Sequence, residues 1–293
     1  MKNRTKQNAR LGFGWVPDLP DNRDHLYAAP MAKLGPLPRK VNLRRHCPPV
    51  YNQGQIGSCT ANAIAAAIEF DRKKQKLADF VPSRLFIYYN ERSMEHSVSI
   101  DNGAEIRDGI KSVGKQGACP EREWSYDDTP ADSTTNVWPA GAKPAQRPPK
   151  SCYMDAKKFR ALNYQRVGRT LTQMKGCLAD GYPFVFGFTV YDSFESAEVE
   201  KTGVLNMPAS REGSSAATPF SRWATTTKRN ALLCAIRGAR AGAKEVTSRC
   251  LILICSRKIF RTISGPSAWC IKCQWLPNNK CSGKSSTFLT KNL

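Results

Sequence analysis

Apolar positions along the chain fall into four helical stripes followed by one dense run. Ile64, Ala67 and Ile68, with Asp71 in register, recur at helical spacing among alanines, which predicts a helix over 60–72 with Ser58 or Cys59 at its first turn. A second helix starts at Ser83, a good N-cap residue, and carries Leu85, Tyr88 and Tyr89 on one face. Ile106, Ile110 and Val113 define a third, and Gly117-Ala118-Cys119-Pro120 breaks it. The Pro-, Ala- and Thr-rich stretch Asp128–Lys150 predicts a surface loop. Leu171, Met174 and Leu178 form a fourth helical face ending near Gly181. The apolar, aromatic run Tyr182–Tyr191 then reads as a buried strand. Helices early and a strand late imply an α+β fold, with no internal repeat. Residues 1–40 read as an extension without a core: Gly14–Asp21 is turn-rich and Pro36-Leu37-Pro38 is an extended connector.

A chain of 293 residues is long enough for one large or two small cores, and 41% apolar content suits a globular protein. No apolar run approaches the ~18 residues that a membrane span needs, so no membrane partner is expected. The charged start Met1–Lys6 is not followed by a hydrophobic stretch, so no secretory signal is visible and a cytoplasmic location is expected. The net charge of +21 would ordinarily suggest nucleic acid. Its distribution changes that reading. Residues 215–293 hold 14 Lys/Arg against one acid, Glu245, whereas the rest holds 31 bases and 23 acids. The same tail carries six of the eleven cysteines and no aspartate. Such lopsidedness marks either a separate basic domain or a segment never selected as protein.

The candidate chemistry lies in Asn52-Gln53-Gly54-Gln55-Ile56-Gly57-Ser58-Cys59-Thr60-Ala61-Asn62-Ala63. A thiolate, not a thiol, attacks a carbonyl, and a free cysteine with a pKa of about 8.5 is only a few per cent ionised at pH 7. Cys59 at a helix start gains from the positive end of the helix dipole. The attack creates an oxyanion, for which the Cys59 backbone N–H and the Gln53 side-chain amide are suitable donors. Gly54 and Gly57 let the backbone turn tightly between them. Taken alone, Cys59 could equally be a buried structural cysteine.

The whole arrangement, Asn-Gln-Gly-x-x-Gly-Ser-Cys before an alanine-rich helix, resembles the papain-like cysteine peptidases, and most closely their microbial, non-secreted members. Ile56 and Thr60 depart from the family pattern, which often has a cysteine and a tryptophan there. The resemblance continues through Pro82–Asn90, Gly117–Tyr126 and Gly203-Val204-Leu205, covering about residues 12–213. It implies a two-lobe fold with a cleft between the lobes. Residues 41–165 would form a helical lobe carrying the nucleophile Cys59, with Gln53 in the oxyanion hole. Residues 166–213 would begin an antiparallel β-barrel lobe. It also implies that Gly57, Ser58 and Gly103, the last within Asp101-Asn102-Gly103-Ala104, line the substrate cleft; a helix-entry turn accounts for Gly103 equally well. The substrate would be a peptide or protein, the enzyme a monomer, and no cofactor or metal is implied.

Such an enzyme needs a histidine base after the cysteine, in a Gly-His-Ala context, and an asparagine in Asn-Ser-Trp-Gly to orient it. The three histidines here are His25, His46 and His96, and none follows. None of the three is expected to substitute. Where the family places its histidine, the chain reads Ser214-Ser215-Ala216-Ala217-Thr218-Pro219-Phe220. Joining the third base of each codon to the first two of the next changes this. Ser215 to Thr226 is then compatible with Gly-Gly-His-Ala-Val-Leu-Ala-Val-Gly-Tyr-Asp-Asp, and the step from Trp223 into Ala224 can only be glycine. Cys234 to Gly242 is likewise compatible with Arg-Asn-Ser-Trp-Gly-Thr-Gly-Trp. A frame slip near Gly213–Ala216 is therefore expected. Residues 214–293 would be an out-of-frame, disordered tail, the β lobe would be incomplete, and the chain as printed would be inactive or a peptide-binding remnant. Within that tail, Cys270, Cys273 and Cys281 with Cys250 or Cys255 make only an improvised zinc set, and Leu251–Ile254 is an aggregation-prone run. A nucleic-acid-binding tail is the minor alternative.

Overall fold

The computed structural model describes residues 14–19, 21–28, 37–38, 41–49, 51–160, 163–189, 223–225 and 268–271. Five α-helices occupy them: α1 (Cys59–Lys74), α2 (Arg84–Met94), α3 (Ile106–Gln116), α4 (Lys150–Ala156) and α5 (Leu171–Ala179). Strands β1 (Trp15–Val16) and β3 (Ala104–Glu105) pair in parallel. Strands β2 (Leu26–Tyr27), β4 (Tyr164–Val167), β5 (Phe184–Thr189), β6 (Trp223–Thr225) and β7 (Ala268–Ile271) form a sheet of order β2-β4-β7-β5-β6. The fold is α+β, as expected. None of the described helices is long and apolar enough to cross a membrane.

The helices begin and end where local chemistry requires. Ser83 caps α2 by accepting the Phe86 N–H at 3.1 Å. Gly117 ends α3 with a φ of +84°, and a Cβ there would lie 1.8 Å from the Ala156 carbonyl oxygen. The buried face of α1 is wider than the stripe in its sequence. Every residue from Cys59 to Arg72 is buried, because small alanines let α2, α3 and the sheet approach it from several sides. Ile64, Ile68, Leu85, Ile87 and Ile106 are each at most 1% exposed. Complete burial of one such side chain contributes roughly 1.5–3 kcal/mol. The stretch expected to be a loop up to Lys150 ends in the additional short helix α4.

Two expectations fail. The extension has a core after all. Trp15, Asp18 and Tyr27 are buried, β1 joins the helical lobe through β3, and β2 joins the sheet through β4. Asp24 holds Arg107 of α3 at 2.7 Å and Arg166 of β4 at 2.5 Å, and Asp18 lies 3.1 Å from Arg166. These four buried charges tie the extension to both lobes. Nor does the tail leave β5 unpaired. β7 pairs with it on one side and β6 on the other, both antiparallel and both from the tail. Trp269 of β7 is fully buried, its ring 6.2 Å from that of Tyr164 and 5.3 Å from the Arg166 guanidinium. Backbone pairing demands little of sequence beyond the aromatic and β-branched residues both segments contain. The rest of the tail, with Leu251–Ile254, Cys273 and Cys281, lies outside the described residues, as do Gly203–Leu205 and the expected frame-slip site.

Candidate active site

Cys59 is the first residue of α1 and is 1% exposed. Ser58 precedes it at the N-cap position without capping the helix through its side chain. Its hydroxyl lies 2.5 Å from the Tyr126 hydroxyl and accepts the Asn62 side-chain amide at 2.9 Å. The helix start therefore spends none of its N–H groups on Ser58 Oγ, and Cys59 stands at the positive end of a four-turn helix.

The loop before Cys59 is braced from three directions. Gln53 is buried, and its amide Nε2 donates to the Ile56 carbonyl at 3.1 Å, which sets the orientation of the group. The Gln53 carbonyl accepts the Tyr126 hydroxyl at 2.8 Å. Arg84 donates to the Asn52 carbonyl at 2.9 Å and to the Asn62 side-chain oxygen at 3.2 Å. Its guanidinium lies 3.8 Å from the centre of the Tyr126 ring and is paired with Glu121 at 2.9 Å. The Gly57 N–H donates to both Asp101 oxygens, at 2.9 and 3.1 Å, and the Tyr88 hydroxyl also donates to Asp101. Burial raises the Asp101 pKa, opposed by these two donors. Gly54 has a φ of +60°, and a Cβ there would lie 1.9 Å from Asp128 Oδ2, so no other residue fits this turn without rearrangement.

Behind Cys59, Thr60 donates to the fully buried Glu91 at 2.6 Å. Burial pushes the Glu91 carboxyl well above its usual pKa.

Gly103 is brought to the same place. It has a φ of +74°, and a Cβ on it would lie 1.8 Å from the Gly14 carbonyl oxygen. A Cβ on Gly14 would in turn lie 1.8 Å from the Gly57 carbonyl oxygen. The Gly14 carbonyl accepts the Ala104 N–H at 2.7 Å. A segment of the chain's own extension thus lies across Gly57 and Gly103 in extended form. Trp15 continues from it onto Gly187 of β5, where an added Cβ would meet the indole at 2.1 Å. Gln53, Gly57, Ser58, Cys59 and Gly103, all named from sequence, converge on this one region.

The histidines are placed elsewhere. His25 and His96 are exposed, in contrast to the buried Cys59. His46 is half-buried, accepts from Arg45 Nε at 2.8 Å and packs edge-on against Phe70. Burial, then the charges of Arg45 and Lys74, lowers its pKa.

Sequence reading missed the bracing residues Arg84, Tyr126 and Glu91. Glu91 carried a signal: it falls three residues after Tyr88, within the buried face of α2. Tyr126 and Arg84 lie in stretches that carry the resemblance, but nothing local marked them as bracing residues, because their partners lie 22–73 residues away.

No family model matches the chain. It is 36% identical over 228 residues to an uncharacterised peptidase C1-like protein of Acanthamoeba polyphaga mimivirus, a match covering 68% of each chain. Among solved structures it is similar to xylellain, a cysteine protease from Xylella fastidiosa. The two share 46% identity with a TM-score of 0.64, over 71% of this chain and 77% of that one. With this likeness in sequence and in fold, and with Cys59 at the head of the central helix, the chain belongs to the papain-like cysteine peptidase family.

Proposed function

We propose that this fold binds an extended peptide and hydrolyses it by thiolate attack from Cys59. The Cys59 backbone N–H and the Gln53 amide would hold the oxyanion, and Gly57, Ser58 and Gly103 would hold the substrate backbone. The observation that carries this reading is the chain's own segment of Gly14 and strand β1, which lies across Gly57, two residues before Cys59 in sequence, and pairs with Ala104 and Glu105 of β3. A surface that accepts one extended backbone through main-chain contacts suits another.

The polypeptide as printed lacks the base this chemistry needs. No histidine follows His96, and two of the three present are exposed while Cys59 is buried. Without a base, Cys59 keeps only its intrinsic thiolate fraction and the helix dipole, and no group protonates the leaving amine. The missing Gly-His-Ala and Asn-Ser-Trp-Gly would then lie in another reading frame from about residue 214. The domain division is then 41–165 for the helical lobe, 166–213 for the start of the β lobe, and 214–293 for the out-of-frame tail. What remains is a peptide-binding remnant of a peptidase.

Resequencing the gene across the codons for Arg211–Phe220 tests the frame. A peptidyl epoxide tests the chemistry. The printed chain should label slowly at Cys59, and a chain corrected by one frame change should label rapidly and hydrolyse peptides. Rapid, inhibitor-blockable labelling of Cys59 in the printed chain would overturn the inactive reading. A correctly folded frame-corrected chain that cleaves no peptide would overturn the peptidase reading.

A further inference from the structure

Away from the cleft, two cysteines and a glutamate meet behind the start of α2. Cys119 and Cys152 are 0% and 1% exposed, and their sulfurs lie with a Glu123 carboxylate oxygen all within 4.8 Å of one another. Each comes from a different place. Cys119 follows the α3-terminating Gly117, and its carbonyl accepts the Ser83 N–H at 2.7 Å. Glu123 lies in the turn after Pro120, and Cys152 sits in α4. Phe86, Ala156, Trp124 and Tyr153 wall the cluster with apolar surface. Glu123 Oε2 is buried and has no hydrogen-bond donor. A buried carboxylate oxygen without a donor calls for a counter-charge.

We propose that Cys119, Cys152 and Glu123 bind a divalent cation that favours sulfur, zinc by preference, as a structural staple. Zinc takes thiolate at about 2.3 Å and carboxylate at about 2.0–2.2 Å in a tetrahedron, which sets neighbouring ligand atoms under ~4 Å apart. A small closure of the observed cluster reaches that geometry. Two thiolates select zinc over magnesium or calcium, which prefer oxygen. Binding expels the two thiol protons to solvent, so affinity rises with pH. The Glu123 side chain is 23% exposed, which gives the ion an entry path and leaves room for a water as fourth ligand. Arg122, 3.7 Å from the other Glu123 oxygen, balances the excess negative charge of the occupied site. The bound ion would join the end of α3 to α4 across the long connection between Asp127 and Pro149. This site is separate from the peptide cleft and does not depend on its activity.

The test uses the full-length chain, loaded with zinc and dialysed, with zinc per chain read by atomic spectroscopy. Cobalt substitution adds a second readout, the thiolate-to-metal charge-transfer absorption. The tail carries six further cysteines, so the comparison is between variants. Cys119→Ser should lose one zinc per chain and the charge-transfer band, whereas Cys273→Ser should keep both. Glu123→Gln retains both thiols and a residue of the same shape, and should weaken zinc binding by roughly tenfold or more. Unchanged zinc content in Cys119→Ser overturns the proposal, as does a Cys119–Cys152 disulfide found by peptide mapping of the zinc-treated protein. Should Cys119→Ser fail to fold, the Glu123→Gln affinity decides.

Discussion

Gln53 earns its interest from its orientation rather than its identity. Its amide is held by the Ile56 carbonyl and its backbone by Tyr126, so the donor is in place before any substrate arrives. In a frame-corrected chain, Gln53→Ala should lower kcat about 100- to 1000-fold with little change in KM, as measured on a fluorogenic peptide. A second residue carries a pH signature. Glu95 ends α2 and accepts the Glu105 N–H at 2.7 Å. Burial first, with the charges of Asp108 and Glu105, pushes its pKa from the usual carboxylate range up to about 8 against the lowering effect of the Glu105 N–H. The folded state therefore holds a proton there that the unfolded chain releases near pH 4.5. Below that pH both states are protonated and Glu95 costs nothing, whereas stability falls as pH rises from about 4.5 to about 8. Glu95→Gln keeps the acceptor and removes the ionisation. Urea midpoints measured across this window should fall less steeply in the variant, and parallel curves would refute the assignment.

Among the elements, α1 and α2 show how much a helix owes to its ends. Ser83 supplies the cap of α2, and its own hydroxyl also donates to the Trp124 carbonyl at 2.6 Å. Ser83→Ala removes both bonds, so the loss should exceed the ~1 kcal/mol typical of a cap and approach about 2 kcal/mol in urea denaturation. α1 behaves differently. Ser58 leaves its start uncapped by a side chain because its hydroxyl is committed to Tyr126 and Asn62. The cap is traded for a rigid loop in front of Cys59. The apolar stripes were legible because helical period survives in any one segment. The full burial of α1 was not, since alanine reads the same on a half-buried face as in a crowded centre.

For the whole molecule, the main event is that described segments of both the N-terminal extension and the tail enter the core. The extension reaches both lobes through Trp15 and the Asp18/Asp24–Arg107/Arg166 cluster, and the tail supplies Trp269 between Tyr164 and the same arginines. Trp269→Ala should destabilise the full chain by about 3–5 kcal/mol, the cost of emptying a tryptophan-sized space in a closed core. An unchanged urea midpoint would instead mean that this strand contributes no packing. The outcome bears directly on the tail: a segment that we propose to be out of frame can still complete a sheet when the edge it meets is apolar and unpaired.

By itself, the sequence marked out the candidate nucleophile Cys59 and the family resemblance, because Gln53 to Cys59 is a contiguous run whose residue types suit one reaction. It also determined four of the five described α-helices, through period and caps, and the absence of a histidine after His96, which no folding can supply. Only the tertiary structure decided what surrounds that run. Asp101, Tyr126 and Arg84 reach the nucleophile loop from 22 to 73 residues away, and nothing local marks them as its partners. The same holds for the burial of Gly14, Trp15, Asp18 and Tyr27 in the N-terminal extension. Its turns and prolines looked like a coreless lead-in, and the charges and glycines that seat it belong to α3, β4 and the Gly57 and Gly103 turns. Local pattern records what a segment prefers; which distant surface it meets is fixed when the chain closes on itself.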